Sequence, residues 1–218
     1  MKASRQFWLS FVLLGCCAIP PSVQGQEELQ IFRDGASYQN NEAFELAIEE
    51  WNRFLTEYAD NKLALDARYN LGVCQIQLKR LTQAVATFTQ VATDADADFK
   101  HLENTYLNLA ISQYTLGQQG DPEMFVQAIE SYGLLLQKFP EGNHADSSLY
   151  YQGESYYALN KKQEAVAAYQ RLADAHADSA LRRDGLYALG VTLEELEDHA
   201  RAGDVYDQYL DEYAEHEL

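Results

Sequence analysis

GESYYALNKKQEAVAAY, residues 153–169, sets Gly153 twelve positions ahead of Ala165 and sixteen ahead of Tyr169. The same spacing recurs in Gly35, Ala47 and Trp51, in Gly72, Ala84 and Phe88, and in Gly190, Ala202 and Tyr206. A further copy reads Ala110, Ala128 and Tyr132, with six extra residues between its first two marks. Aromatic residues make up 12% of the chain, so a ring at the last mark of all five copies is a pattern and not composition. The spacing has a steric meaning. A small residue and an alanine let two antiparallel helices cross closely, and the ring fills the space between that pair and the next. Three positions beyond each ring stand Phe54, Val91, Leu135, Leu172 and Tyr209, which continue one buried face at helical spacing. Nothing alternates with period two over a useful length, so strands are not expected.

Five copies in phase resemble the tetratricopeptide repeat (TPR) family, from about Glu28 to the end of the chain. The resemblance implies an all-α fold, a right-handed superhelical TPR solenoid of about five helix-turn-helix repeats. In the family's register the repeats lie near 28–64, 65–102, 103–145, 146–182 and 183–218, within a TPR domain at 26–218. Their starts are 37, 38, 43 and 37 residues apart, against a family unit of about 34. The surplus falls in the links between repeats, at Tyr58-Ala59-Asp60, Phe139-Pro140-Glu141, His176-Ala177-Asp178 and Tyr213-Ala214-Glu215. Such links resemble those of bacterial envelope TPR proteins, among them the periplasmic Tol-Pal coordinator and the TPR lipoprotein of the outer-membrane barrel assembly machine. The extra residues of the third copy surround Leu116-Gly117-Gln118-Gln119-Gly120-Asp121-Pro122, which reads as a longer surface turn between paired helices.

In this family positions 5, 9 and 12 of each repeat line a concave groove. Position 5 is Phe32, Tyr69, Leu107, Tyr150 and Tyr187, and position 12 adds Ile76, Tyr114 and Tyr157. Rings and aliphatics in a row offer apolar area with hydroxyl handles, as peptide-binding surfaces do. The expected function is a non-catalytic protein-protein interaction scaffold that holds partner segments on these residues. Tyrosine is also a common filler between helices of such repeats, so core and groove compete for each ring. A carboxylate clamp, which some family members build from Lys, Arg and Asn, is not supported: Asn70 and Asn108 are in place, but rings hold the lysine positions.

The first 25 residues read as a signal peptide. Lys2 and Arg5 precede a 13-residue apolar run, Phe7 to Ile19, and Val23-Gln24-Gly25 offers a small-residue exit before Gln26. The run is short of the about 20 residues a spanning helix needs. Leu13-Leu14-Gly15-Cys16 also resembles a bacterial lipobox, so a membrane enters only if Cys16 is lipidated. Both readings export the protein, to the periplasm or cell envelope, free or lipid-anchored in an outer-membrane, cell-division or cell-wall complex. Cleavage after Gly25 leaves 14 Lys and Arg against 34 Asp and Glu, a formal charge of −20. That charge argues against nucleic acid and favours basic patches on other proteins. Only Cys74 then remains, so internal disulfides do not hold the fold.

No motif points to catalysis, and neither a cofactor nor a metal is expected. Asp94-Ala95-Asp96-Ala97-Asp98 has the alternate acids of a calcium loop, but Phe99 stands at the glycine position and Thr105 at the closing glutamate. His101, His144, His176, His199 and His216 fall one to a repeat or link, without a paired ligand. Phosphate-loop and Gly-x-Ser-x-Gly patterns are absent. On the last helix Tyr206, Tyr209, Leu210 and Tyr213 form an apolar stripe that a polar cap usually covers in solenoids. Self-association or further repeats would cover it. The intact mass of the exported protein separates the two processing routes: we expect a chain starting at Gln26, and a diacylated Cys16 would establish the lipoprotein instead.

Overall fold

Ala47, Ile48, Trp51 and Phe54 share one face of a helix, as do Ala84, Phe88 and Val91 further along. Such faces gain only by packing on a neighbour, and here the neighbour is the next helix in the chain. In the computed structural model residues 21–213 are described. The signal core from Phe7 to Ile19, Cys16 with its lipobox, and His216 lie outside them. Ten helices and, among the described residues, no strand make an all-α solenoid of five helix pairs. The first two pairs are α1 (Pro21–Asn40) with α2 (Phe44–Glu57) and α3 (Ala64–Gln77) with α4 (Leu81–Asp94). The third is α5 (Leu102–Gln118) with α6 (Pro122–Lys138). The last two are α7 (Ala145–Ala158) with α8 (Lys162–Ala175) and α9 (Arg182–Glu195) with α10 (His199–Tyr213).

Each helix packs on the one before and after it, and the odd-numbered helices α1, α3, α5 and α7 also touch in succession. The odd helices therefore form an inner layer and the even ones an outer layer. Between the layers the rings Trp51, Phe88, Tyr132 and Tyr169 are 0–1% exposed, each contributing on the order of 1.5–3 kcal/mol by burial. The contact that lets them in is ring on bare backbone. A Cβ at Gly72 would stand 2.7 Å from Phe88, at Gly153 2.5 Å from Tyr169, and at Gly190 2.5 Å from Tyr206.

The third pair departs from the expected longer surface turn. Its extra residues are helical: α5 and α6 each have 17 residues, where α3, α4, α7, α8 and α9 have 14. Gly117, expected to break the helix, lies inside α5, where a Cβ would come within 2.8 Å of Phe125. The longer pair thus repeats the glycine-ring contact one level further out, while Ala110 serves opposite Tyr132. Pro122 opens α6 at a position that needs no N–H.

Every turn within a pair has three residues, and its middle one is left-handed: Glu42 (φ 58°), Lys79 (57°), Gly120 (109°), Asn160 (57°) and Glu197 (60°). Links between pairs are longer and are tied back to the preceding odd helix. Asn61 donates to Glu28 (2.8 Å), Lys100 pairs with Asp66 (2.8 Å), the His144 amide donates to Glu103 (3.1 Å) and Ser179 to Asp146 (2.6 Å). In the last pair the sign inverts. Buried Arg182 grips Glu212 of α10 and donates to the carbonyl of Ala173 at 3.0 Å.

Gly72→Ala should lower stability by about 1–3 kcal/mol through overpacking, read from the urea unfolding midpoint. In a Phe88→Leu background the same change should cost clearly less. An equal cost in both backgrounds would show that the ring contact is not what requires glycine.

Candidate functional site

The inner layer exposes the faces of α1, α3, α5, α7 and α9, and the eight residues expected to line it divide into two groups. Toward the N-terminus they are half-buried and engaged. Phe32 meets Trp51 edge-on at 4.9 Å and Phe54 at 5.5 Å. Tyr69 stacks on His101 with ring centres 4.3 Å apart and stands 5.9 Å from Phe88. Ile76 packs on the cluster of Ala84, Phe88 and Leu109, and Leu107 on the clusters around Tyr106 and Tyr132. These four side chains contribute to the interior as well as to the face.

Toward the C-terminus the rings are more exposed. A cleft of about 660 Å³ opens there, bringing together Tyr150, Tyr157 and Tyr187 with Glu154, Tyr169 and Tyr209. Tyr187 is 57% and Tyr157 37% exposed, so both present apolar area to solvent. Tyr187 leans on Tyr209 at 6.2 Å, and Tyr150 on Tyr169 at 6.1 Å. The Tyr157 hydroxyl donates to Glu195 (2.8 Å), and this bond together with Lys162 holds the Glu195 carboxyl below its usual range. The stripe of α10 is partly absorbed in the same way. Tyr206, Tyr209 and Tyr213 pack on the last core cluster, and Leu210 is left 55% exposed.

A smaller cleft of about 350 Å³ lies between α5 and α7, lined by Ile111, Tyr114, Thr115, Gln118, Tyr132 and Tyr151. Tyr114 meets Tyr151 at 5.3 Å, and Gln118 donates to the Tyr114 hydroxyl at 2.9 Å. The hydroxyl of Tyr132 is buried with no partner, and burial pushes its ionisation well up. Helix α7 contributes to both clefts, Tyr151 to the smaller and Tyr150, Glu154 and Tyr157 to the larger.

Glu154, Val191 and Ile111 were absent from the expected face although all three occupy position 9 of their repeats, a position the family's register places on the groove. Glu154 is the one charged residue there, against Ala36, Val73, Ile111 and Val191. That contrast was the available signal. Tyr151, adjacent to an expected ring, and Tyr209, on an even helix, carried none. Among the described residues no group of three metal-ligating side chains occurs, and no helix is long and apolar enough to cross a membrane. Cys74 is a buried core thiol whose ionisation burial pushes up to about 11.

Burial, reinforced at Tyr150 and Tyr114 by the nearby Glu154 charge, pushes both phenols up to about 12. An unfolded tyrosine ionises near pH 10. A folded value above the unfolded one contributes stability that is complete below about pH 10 and is lost as pH rises to about 12. Ultraviolet phenolate titration should therefore resolve a late class among the 15 tyrosines. Replacing Tyr114 and Tyr150 by Phe should shrink that class and lessen the alkaline loss of stability, while Tyr132 and Tyr169, whose ionisation burial pushes up further, stay in it.

Two family models, both described as tetratricopeptide repeat, match residues 147–179 with 184–216, and residues 35–98, together more than half the chain. A comparison with curated proteins gives no significant match. Among solved structures, a tetratricopeptide repeat protein from Parabacteroides merdae is 18% identical with a TM-score of 0.67, over 87% of this chain and 68% of that one. MamA from Desulfovibrio magneticus, residue 41 to the end, is 14% identical with a TM-score of 0.66, over 88% of this chain and 97% of that one. At these identities the structural likeness is one of fold. With five ring-interlocked helix pairs and repeat models in register on both halves, the chain belongs to the tetratricopeptide repeat family.

Proposed function

We propose that this protein is a non-catalytic scaffold that holds a segment of another protein in the groove over α5, α7 and α9. The observation that carries the reading is the cleft between α7 and α9, where Tyr157 and Tyr187 stand 37% and 57% exposed beside Tyr150. Large rings held by a rigid scaffold bury much area on binding with little entropy to lose, and tyrosines keep a hydroxyl for the partner's backbone. The open shape suits a chain segment better than an enclosed small molecule. The N-terminal signal supports placing this activity in the periplasm or cell envelope, with the exported chain free or, through Cys16, lipid-anchored to an assembly there. A second contact is supported by Leu210, which offers an exposed apolar surface on α10 for a copy of the chain or a further partner.

Photo-crosslinking residues placed at Tyr157 or Tyr187 in cells should give discrete partner bands, and one at Arg171 on the exposed outer face of α8 should not. Changing Tyr150, Tyr157 and Tyr187 together to Ala should cut partner recovery at least about tenfold, as loss of an interface centre does, with helical content unchanged. Equal crosslinking from both faces would defeat the groove reading.

A further inference from the structure

Glu154 is a half-buried carboxylate in the middle of the tyrosine groove, and its charge is uncompensated. Its one protein bond is accepted from the Tyr169 hydroxyl at 2.5 Å, and no Lys or Arg stands within ion-pair reach of it among the described residues. Two cations stand near the cleft, and each meets another acid. Lys162 is 3.2 Å from Glu195, and Arg183, 54% exposed, lines the cleft together with its neighbour Asp184, 3.4 Å away. At the other four repeats the corresponding position carries Ala36, Val73, Ile111 and Val191, so packing alone does not call for an acid there. Open ring faces attract cations, and a carboxylate among them accepts a charge-assisted hydrogen bond from a basic group.

We infer that the cleft between α7 and α9 is a subsite for one basic side chain, a lysine or arginine of the bound protein segment, with Glu154 as its counter-charge and Tyr150, Tyr157 and Tyr187 as its walls. The cation donates to the free oxygen of Glu154 while Tyr169 keeps the other, so the carboxylate stays fully bonded. Its alkyl stem covers the exposed ring faces, as long basic side chains do on apolar surface. The chain's formal charge of −18 brings a basic segment toward the groove from a distance and repels an acidic one. The same uncompensated charge is felt by its neighbours, since Glu154 disfavours ionisation of both Tyr150 and Tyr114. This inference rests on the groove reading and adds the chemistry that the groove selects.

The test uses N-acetyl-arginine methylamide and N-acetyl-lysine methylamide as probes, titrated into the mature protein and followed by backbone amide NMR. The uncharged citrulline analogue is the control. Saturable shifts confined to α7 and α9 are expected for the two cations and not for citrulline. Glu154→Gln keeps an acceptor for Tyr169 and should fold normally, yet weaken the arginine compound about tenfold, the scale of a charge-assisted hydrogen bond. Glu141→Gln, an equal charge change on an exposed link, should leave binding unchanged. Equal binding of citrulline, shifts scattered over the acidic surface, no saturable shift with arginine, or an unaffected Glu154→Gln variant would each overturn the subsite. If crosslinking at Tyr157 and Tyr187 succeeds while these titrations fail, the groove stands and its basic specificity falls.

Discussion

The structure depends on an aromatic ring seated directly over the backbone of the helix opposite. Where Gly72, Gly153 and Gly190 face Phe88, Tyr169 and Tyr206, even one methyl group would stand 2.5–2.7 Å from ring atoms. The absence of a side chain brings the helices of a pair together, and the ring then fills the volume shared with the next pair. Solenoid stability is a sum of such units and their interfaces. The third pair shows that the contact, and not the helix length, is what the fold preserves. With longer helices it keeps Ala110 against Tyr132 and adds Gly117 against Phe125.

The links then set how successive pairs stand. An acid near the start of each odd helix, from Glu28 to Asp146, accepts from the link that follows its partner, and Arg182 reverses the polarity at the last pair. Exposed pairs of this kind are worth little individually. Arg182 is different because it is buried, so the Glu212 carboxylate is needed to compensate it. At that end Tyr150, Tyr157 and Tyr187 line an open cleft between α7 and α9.

The same residue type therefore does two jobs along one face. Phe32 and Tyr69 are spent against Trp51, Phe88 and His101, whereas Tyr157 and Tyr187 are held out to solvent. Burial raises the ionisation of Tyr150 and Tyr114 to about 12, so near neutrality the groove offers phenol hydroxyls, with the Glu154 and Asp184 carboxylates beside them. Such a surface matches a segment that is apolar with a basic residue, in a molecule whose long-range field is already acidic.

The sequence by itself determined the fold class, because a small residue, an alanine and a ring at fixed helical spacing have one steric solution and repeat it five times. It did not reveal the turns: Glu42, Lys79 and Glu197 adopt left-handed backbone without being glycine. No helix from α2 to α9 has a side-chain N-cap bond to mark its start. Nor did it separate a glycine that ends a helix from one that admits a ring, and so Gly117 read as a breaker. The repeat spacing marked Tyr132 and Tyr169 as core, but tertiary structure alone decided which tyrosines at the groove positions are core and which are surface. A tyrosine's own chemistry permits either: Phe99 and His101 of the following link cover Tyr69, whereas Tyr187 leans on Tyr209 and stays 57% exposed.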